Sequence, residues 1–349
     1  MTGNKVLLVA WISLVCVFDI SYSLTCLDQT GNPVSWFIAL NLPKNTSPIA
    51  TNGKEFMYMD ANIQRFQKSP VPLDNINQAI GLTLHQVYTN YGSQNVAYGM
   101  YSDQPPPDGG TSRGHIKGVV ALDATDGFWL VHSVPRFPNQ ASGGGAYSWP
   151  PNAETYGQSL LCISFNFNQF EEIGQQLLYA CPNTYESQMP PFTNVLPILQ
   201  SALGEGPCIY NSRSTVLQAT NGQQFVSFAK SVNYNLDLYS GLVAPYFQKN
   251  LFTETWQHDS FYKIPSYCGN PQVVNINRVQ LGFNAPGYDH YEYLSTSDHS
   301  KWAVASDQPP PPPNQQVVCI GDINREYSQV CRAGGTVCMV GASRCMVCI

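Results

Sequence analysis

The sequence predicts an α/β protein of two similar halves, residues 24–185 and residues 186–349, behind a short amino-terminal leader. Each half runs in the same loose order, from a strand through a helix to further strands, and each contains one His-x-Lys tripeptide. Charged residues make up only 11% of the chain, which also contains 27 Gly and 26 Pro, a composition typical of strand-rich and loop-rich proteins. We therefore expect a pseudo-two-fold architecture of mixed sheets, with a central sheet flanked by helices in each half.

The leader, residues 1–23, has the pattern of a secretory signal peptide. Lys5 precedes an apolar run over residues 6–18, and the small residues Ser21 and Ser23 predict cleavage before Leu24. No later stretch contains the roughly 18 consecutive apolar residues that a membrane-spanning helix needs. We therefore expect a secreted or lysosomal protein without a membrane anchor.

In the first half, residue patterns predict two helices, a hairpin and three further strands. Helices are expected at residues 74–88, capped by Asp74, and at residues 171–179, where two acids in the first turn favour the helix dipole. Strands are expected at residues 34–40, 95–101, 119–122, 128–134 and 160–167. An Asp-Gly turn joins the third and fourth of these strands, so His132 comes back toward His115.

The second half repeats this order beyond a polar boundary at residues 182–191. A helix is expected at residues 236–248, and strands are expected at residues 224–229, 251–256, 273–281, 302–305 and 317–324. A five-proline loop at residues 309–313 separates the last two strands. Asn324 stands there roughly where His132 stands in the first half.

The cysteines are typical of an exported protein. Removal of the leader also removes Cys16 and leaves ten cysteines, an even number that predicts a disulfide framework of open connectivity. The tail over residues 331–348 is expected to form a disulfide clasp. Zinc at Cys345-x-x-Cys348 is the competing interpretation, and it is disfavoured because no second close pair and no nearby His accompany it. Asn45 begins the one glycosylation sequon.

The two His-x-Lys tripeptides suggest a phosphate site. Side chains two apart on a strand point to the same face, so His115 lies beside Lys117 and His299 lies beside Lys301. If both pairs meet at one phosphodiester, one neutral imidazole can attack phosphorus while the other, protonated, donates its proton to the leaving oxygen. The lysines would stabilise the non-bridging oxygens, so this chemistry requires no metal and no other cofactor.

Such a site predicts activity in mild acid. The resting state holds one proton between the two histidines, and the neighbouring lysines lower the pKa of both. The net charge of −6 at pH 7 disfavours a polyanionic partner at neutral pH, and protonation of the 6 histidines in acid would cancel it. Charge balance therefore permits nucleic-acid binding in an acidic compartment.

Other catalytic templates are missing from the sequence. It contains no Gly-rich phosphate loop, no His-Glu-x-x-His and no Gly-x-Ser-x-Gly. A thiol nucleophile at Cys162 is disfavoured because an exported chain with an even number of cysteines forms disulfides. His85, His258 and His290 lack a partner motif and are interpreted as structural.

These motifs resemble the deoxyribonuclease II family, within the phospholipase D-like superfamily. Besides the two His-x-Lys stretches, the resemblance is carried by Tyr101-Ser-Asp-Gln-Pro-Pro, Gly127-Phe-Trp-Leu-Val-His-Ser-Val-Pro, Tyr147-Ser-Trp-Pro, Tyr156-Gly-Gln-Ser-Leu-Leu-Cys and Cys319-Ile-Gly-Asp-Ile-Asn-Arg. It implies a phospholipase D-like fold and metal-independent, endonucleolytic cleavage of DNA in acid. The expected products carry 3′-phosphate and 5′-hydroxyl ends.

The resemblance also implies roles for individual residues. His115, Lys117, His299 and Lys301 would form the catalytic group, and His132 would support it at the substrate. A weaker match to an Asn of the superfamily adds Asn324 as a substrate-binding residue. We favour His115 as the nucleophile and His299 as the general acid, an order that the motifs alone leave open.

By the same likeness, Cys26 would pair with Cys162, Cys319 with Cys338, and Cys268 with a cysteine of the tail. Three cysteines are additional to the family pattern, namely Cys181, Cys208 and Cys331. Ala303 stands where family members often carry Cys.

The expected partner is DNA, as the substrate. No obligatory protein partner is indicated, and the oligomeric state stays open.

Two other functions compete with the nuclease. A secreted binding or immunomodulatory protein with little nuclease activity is disfavoured because both His-x-Lys pairs are present. A lipid phosphodiesterase is disfavoured because the matching motifs lie with the nuclease family.

Overall fold

The computed structural model describes residues 23–63, 65–106, 110, 113–204, 206–257, 261–282, 290–306 and 316–341. Nearly all of the leader, the five-proline loop, His258, Cys345 and Cys348 lie outside these residues, so the predictions that concern them stay predictions. The described chain contains five α-helices: α1 Ala79–Thr89, α2 Phe170–Ala180, α3 Pro197–Leu203, α4 Ala244–Phe247 and α5 Tyr327–Val330. A π-helical turn, Tyr239–Val243, runs directly into α4.

The strands before α2 are β1 Cys26–Leu27, β2 Pro33–Val34, β3 Trp36–Asn41, β4 Ser47–Pro48, β5 Phe56–Asp60, β6 Gln67–Lys68, β7 Ala97–Ser102, β8 Lys117–Leu122, β9 Asp126–His132 and β10 Gln158–Asn166. Those after it are β11 Thr184–Gln188, β12 Ser212–Gln218, β13 Gln224–Lys230, β14 Leu251–Glu254, β15 Val273–Asn275, β16 Arg278–Gly282, β17 His290–Leu294, β18 Trp302–Ala305, β19 Val317–Gly321 and β20 Gly334–Val340. Short 3₁₀ helices are formed by Pro151–Ala153, Phe167–Gln169, Pro191–Val195 and Ser295–Ser297.

Two large sheets dominate the fold; the described pairs of the first are all antiparallel, and the second contains one parallel pair, β14 with β15. The first has the order β11-β7-β8-β9-β10-β3-β5-β6, and the second has the order β12-β13-β20-β19-β18-β14-β15. Smaller sheets join β1 with β2, and β16 with β17 and β4. The prediction of a mixed α/β fold is confirmed.

The sheets pack against each other around a shared apolar core. Trp36, Ile38 and Leu40 of β3 point into it from the first sheet, and Val318 and Ile320 of β19 point into it from the second. Side chains on the opposite faces are buried as well, under α1 on the first sheet and under the π-turn and α4 on the second. Because both faces are covered, these strands are continuous apolar runs in the sequence.

A five-strand unit occurs once in each sheet. The neighbours β7-β8-β9-β10-β3 in the first sheet correspond to β14-β18-β19-β20-β13 in the second, with the same order along the chain. Every neighbouring pair is antiparallel in both units. The connection from β3 to β7 contains β4, β5, β6 and α1, and the connection from β13 to β14 contains the π-turn and α4. This repeat is the structural form of the duplication expected from the two His-x-Lys tripeptides.

Two helix predictions meet different outcomes. Helix α2 agrees with the prediction, and Glu171 in its first turn also accepts hydrogen bonds from the amides of Ile198 (3.1 Å) and Leu199 (3.2 Å), at the start of α3. The predicted start of the earlier helix at Asp74 is wrong. Asp74 pairs with Lys54 instead, and α1 is capped by Gln78, whose side chain accepts the amide of Ile80.

The second half departs further from the predictions. The tail predicted as a disulfide clasp contains β20, a central strand of the second sheet, because residues 334–340 are small or apolar and buried between β13 and β19. The predicted strand over residues 273–281 is interrupted between β15 and β16. The predicted helix over residues 236–248 is only the π-turn and α4. The polar stretch at residues 182–191 contains the edge strand β11, and the division of the chain near residue 185 stays a prediction.

Three disulfides occur in the described chain. Cys26 pairs with Cys162 and Cys319 pairs with Cys338, as the family resemblance implied. The two cysteines Cys181 and Cys208 pair with each other. Cys268 and Cys331 are exposed and lie in no disulfide between described residues, so the predicted bond from Cys268 to the tail stays a prediction.

Candidate active site

The first His-x-Lys motif lies where the first sheet meets the second. The amide of His115 donates to the carbonyl of Ala333 (2.7 Å), and its Nδ1 lies 2.6 Å from the carbonyl oxygen of Asp322. Both partners belong to the second half of the chain. The preceding Gly114 passes close to the end of α2, where a Cβ at its position would lie 1.8 Å from the carbonyl oxygen of Ala180.

The second motif is held in the converse way, by the first half. Asp298 forms a parallel bridge with Gly157, whose carbonyl accepts the amide of His299 at 2.9 Å. The ring of His299 stacks on Tyr156, with ring centroids 4.3 Å apart, and meets the edge of Trp256 at 3.8 Å. Each motif is therefore docked on residues of the opposite half.

The two lysines of the motifs are buried beside acidic groups. Lys117 forms an ion pair with Asp103, which also accepts from Arg332 at 3.0 Å. Asp103 follows β7, whose last residue, Ser102, pairs with Lys117. The His115 Nε2 lies 3.7 Å from the Asp103 carboxylate. Lys301 directly precedes β18, and its ammonium group donates to the carbonyl of His299.

Electrostatic effects connect the two motifs. Burial, followed by the charge of Lys117, lowers the pKa of Lys301 to about 8. Burial lowers the pKa of His115 well below its ordinary value, and the charges of Lys117 and Lys301 contribute. Burial opposes ionisation of Asp103, yet the charges of Lys117 and His115 bring its pKa down to about 2. The structure thus brings His115, Lys117 and Lys301 into one electrostatic environment.

Three further carboxyl groups stand around the lysines with raised pKa values. Burial raises the pKa of Asp322 and of Glu254 well above the ordinary range, against the opposing charge of Lys301. Burial raises the pKa of Asp298 to about 6, although hydrogen bonds from Ser300 act in the other direction. Within the described chain, both oxygens of Glu254 and the Oδ2 of Asp298 have no hydrogen-bond partner.

His132 lies beside Lys117 in the interior of the first sheet. Gly118 pairs with Val131, so Lys117 and His132, one residue further along each strand, are neighbours. The imidazole is fully buried, and neither ring nitrogen has a hydrogen-bond partner of normal geometry among the described residues. Burial, followed by the charge of Lys117, lowers its pKa to about 3. His132 is therefore a neutral side chain behind the first motif.

Asn324 is buried three residues beyond the end of β19. Its amide donates to Gln329 Oε1 at 2.9 Å, and its side-chain oxygen has no partner among the described residues. The amide of Gly321 donates to the carbonyl of Lys301, so Gly321 stands across from Lys301 as His132 stands across from Lys117. Asn324 is close in sequence to Asp322 but does not occupy the place equivalent to that of His132.

Several residues around the site were not singled out from the sequence. Asp103 and Asp322 lie within the quoted motifs. Because the chain has few charged residues, an Asp within such a motif could have been predicted to lie near the site. Lys230 carries no such signal. It is buried, and its ammonium group donates to the carbonyls of Gln329 (3.0 Å), Val330 (2.8 Å) and Arg332 (2.6 Å). This contact holds the loop that presents Arg332 to Asp103 and Ala333 to His115.

Two further observations concern metals and membranes. The described residues contain no group of three or more His, Cys, Asp or Glu side chains placed to hold a metal ion. None of the helices in the described part of the chain is long and apolar enough to cross a bilayer.

Comparison with known proteins agrees with the motifs. Residues 25–343 match the family model described as deoxyribonuclease II. The chain is 40% identical to deoxyribonuclease-2-alpha of Rattus norvegicus, over 90% of this chain and 89% of the relative. It is 38% identical to plancitoxin-1 of Acanthaster planci, over 93% of this chain and 89% of the relative. Deoxyribonuclease-2-beta of Homo sapiens is 34% identical over 90% of this chain and 86% of its own length.

Proposed function

The chain belongs to the deoxyribonuclease II family, and from that premise we propose that this deoxyribonuclease is a metal-independent acid endonuclease that acts through a phosphohistidine intermediate. The observation that supports the proposal is that both His-x-Lys motifs bond to the adjacent residues Gly321 and Asp322: Asp322 accepts the amide of Lys117 at 3.4 Å and lies 2.6 Å from His115 Nδ1, while the amide of Gly321 donates to the carbonyl of Lys301 at 2.8 Å. Two buried ammonium groups in one site favour an anion between them.

His115 is the nucleophile in this proposal. A carbonyl oxygen can only accept, so the contact with Asp322 places the proton of a neutral imidazole on Nδ1 and the lone pair on Nε2. The lowered pKa of His115 keeps the ring neutral in mild acid. The Nε2 lone pair attacks phosphorus, a P–N bond forms, and the bond from phosphorus to the 5′ oxygen breaks.

His299 is the general acid. It lies partly exposed between Tyr156 and Trp256, and as an imidazolium it gives its proton to the leaving 5′ oxygen. A water molecule then attacks the phosphohistidine and loses a proton to His299, and the P–N bond breaks with its electron pair returning to Nε2. The products carry a 3′-phosphate and a 5′-hydroxyl end, and each histidine regains its starting state.

Lys117 and Lys301 stabilise the charge on the non-bridging oxygens during both steps, the role a metal ion has in other phosphoesterases. In this proposal the neutral ring of His132 supports Lys117 from the neighbouring strand, and Asn324, whose buried side-chain oxygen has no partner among the described residues, is assigned to substrate binding. The three disulfides agree with a secreted or lysosomal location, which we propose together with the leader.

A plasmid-nicking assay at about pH 5 with excess chelator tests this function. We expect the wild type to nick and linearise the plasmid, and we expect His115→Ala and His299→Ala to lose at least about 1,000-fold in rate. His85→Ala, on the exposed face of α1, is the matched control and should cleave like the wild type. Chelator-sensitive cleavage, or products with 5′-phosphate ends, would contradict the proposed chemistry.

A further inference from the structure

Residues 181–183, which connect α2 to β11, lie against the two chain stretches that bring His115 and Asp103 into the candidate site. We call these three residues the α2–β11 segment. On one side of the segment, the amide of Gly114 donates to the carbonyl of Cys181 at 2.8 Å, and Gly114 directly precedes His115. The segment therefore holds the backbone at the residue immediately before the proposed nucleophile.

On its other side, the α2–β11 segment holds the end of β7. The amide of Ser102 donates to the carbonyl of Asn183 at 2.9 Å, and the side-chain nitrogen of Asn183 donates to the carbonyl of Ser102 at 2.8 Å. Ser102 directly precedes Asp103, whose carboxylate pairs with Lys117 and lies 3.7 Å from His115 Nε2. One short segment thus contacts both backbone stretches that carry the groups of the first motif.

The side chain of Arg113 joins the α2–β11 segment to the loop after α3. Its Nη1 donates to the carbonyl of Pro182 at 2.9 Å, and its Nη2 donates to the carbonyl of Gly206 at 3.2 Å. The planar guanidinium group presents several donors in a fixed fork, so it can bridge two carbonyls in a way that a lysine ammonium group reproduces poorly. Arg113 therefore links two loops at a position two residues before His115.

The disulfide of Cys181 with Cys208 joins the same two loops covalently. Cys181 is the left-handed residue at which α2 ends, and the amide of Ile209 donates to the carbonyl of Leu178 at 3.0 Å, beside it. A bond between residues 27 positions apart reduces the number of conformations open to the chain between them. The loop after α3 is thus held to the α2–β11 segment by this bond and by Arg113.

The packing around Gly114 transmits the position of the segment to the site. A Cβ on Gly114 would lie 1.8 Å from the carbonyl oxygen of Ala180 and 3.0 Å from that of Cys181, so the backbone before His115 packs directly on the end of α2. His115 Nδ1 must also stay 2.6 Å from the carbonyl oxygen of Asp322. A displacement of about 1 Å at a reacting group can lower a rate about 100-fold, so small movements of the segment matter to catalysis.

We propose that Arg113 and the disulfide of Cys181 with Cys208 act together to position the first His-x-Lys motif. Both act through the α2–β11 segment and not on the phosphate, so they are positioning residues and not catalytic residues. The proposal rests on the proposed nuclease function, in which His115 attacks phosphorus, and adds the groups that hold His115 in place for that attack.

Arg113→Ala tests the first part of the proposal. In acid, we expect kcat for DNA cleavage to fall at least about 10-fold with KM changed less than about 2-fold, because the nucleophile is displaced while the phosphate-binding lysines remain. Arg113→Lys keeps the charge without the fork and should recover only part of the loss. Arg213→Ala is the matched control, since Arg213 donates to Gln176 and Glu172 of the same helix away from the motif, and should keep the wild-type kcat. A raised KM with unchanged kcat in Arg113→Ala would overturn a positioning role.

The variant with both Cys181→Ala and Cys208→Ala tests the second part without leaving a single thiol. We expect kcat to fall about 5- to 10-fold at unchanged KM, and the further addition of Arg113→Ala should lower kcat less than about 2-fold more, because both groups act through one segment. Urea unfolding identifies the concentration range and temperature at which each variant is folded, and Arg113→Lys, which keeps the disulfide, provides the measurement if the disulfide-free chain does not fold.

Fully multiplicative losses in kcat, or the wild-type kcat in a folded chain without the disulfide, would overturn the joint action while leaving the nuclease function standing. No cleavage of DNA by the wild type would overturn the nuclease function and this proposal together.

Discussion

Lys117 and Lys301 bring two buried ammonium groups into one site, and the residues around them determine how much of that charge a phosphate meets. Asp103 stays ionised because the charge of Lys117, together with that of Arg332, outweighs the effect of burial on its carboxyl group. Around Lys301 the carboxyl groups are different, since burial favours their neutral forms. At the scale of single residues, the pH dependence of the site therefore includes carboxyl groups as well as imidazoles.

Asp298 is the carboxyl group whose titration falls in the working range. Glu254, Ser300, Lys301 and Tyr293 face it, and its pKa of about 6 means that it is protonated at about pH 5 and mostly ionised at about pH 7. As pH rises through this value, the new negative charge offsets Lys301 and weakens phosphate binding. Wild-type kcat/KM should fall accordingly.

Asp298→Asn removes this charge and keeps an oxygen for the amide of Ser300. We expect the ratio of kcat/KM at about pH 7 to kcat/KM at about pH 5 to be up to about 10-fold higher in the variant than in the wild type. Profiles of rate against pH measure this ratio. Asp74→Asn, an exposed carboxylate paired with Lys54, is the control and should leave the profile unchanged. A falling limb at the same pH in both Asp298→Asn and the wild type would show that Asp298 does not contribute.

At the scale of elements, the site is formed by strand ends and by one loop. Asp103 follows β7, Lys117 begins β8 and His132 ends β9, while Lys301 precedes β18 and Asp322 follows β19. The loop between α5 and β20 completes the arrangement, and it has little apolar anchoring of its own. The ammonium group of Lys230 donates to two carbonyls at the end of α5, Gln329 and Val330, and to the Arg332 carbonyl in the loop, and so ties the loop to the helix.

Lys230→Met tests this role. The substitution leaves three carbonyls without their donor, so we expect the free energy of unfolding to fall by about 2 kcal/mol and kcat to fall at least about 10-fold. Lys230→Arg should recover part of both losses, and Lys68→Met, on the edge strand β6, should change neither. Urea unfolding and steady-state rates measure the two effects, and full activity in Lys230→Met would exclude a positioning role.

The whole molecule consists of two related sheets whose motifs are docked crosswise. His115 is bonded to Ala333 and Asp322 of the second half, and His299 is bonded to Gly157 of the first half. Each sheet therefore positions the His-x-Lys motif of the other, and the candidate site forms only when both sheets are packed. This arrangement links activity to the integrity of the entire described fold.

Gly157→Ala tests the crosswise docking. A Cβ at this position would lie 2.4 Å from the Asp298 Oδ1, so the buried Asp298 carboxyl group, which holds the amide of Ser300, must shift. We expect kcat to fall at least about 10-fold, with a loss of about 1–3 kcal/mol in unfolding free energy. Gly110→Ala, where a Cβ meets nothing within 4 Å, is the control. Wild-type activity in Gly157→Ala would mean that the bridge does not position His299.

The sequence by itself determined much of the fold and the identity of the two motifs. Alternation and periodicity located β3, β7, the β8–β9 hairpin, β10, α2, β13 and β18, because residues that face a core must repeat with the local geometry. The cysteines near β20 led to the prediction of a disulfide clasp there instead of a strand. The buried central position of β20 depends on strands far away in the chain. The start of α1 is later than predicted, because Gln78 and the turn before it determine where the helix begins.

Only the tertiary structure decided which groups surround the motifs. Asp103, Lys230 and Asp322 lie at sequence separations of tens to hundreds of residues from the side chains they influence, and no local pattern encodes such contacts. Burial, which raises the pKa of Glu254, Asp298 and Asp322 and lowers that of His115, His132 and Lys301, is likewise a property of the packed sheets and not of the residue type. The sequence shows which residue types are available for the chemistry. The position, the hydrogen-bond partners and the protonation state of each side chain follow from the packing of the two sheets.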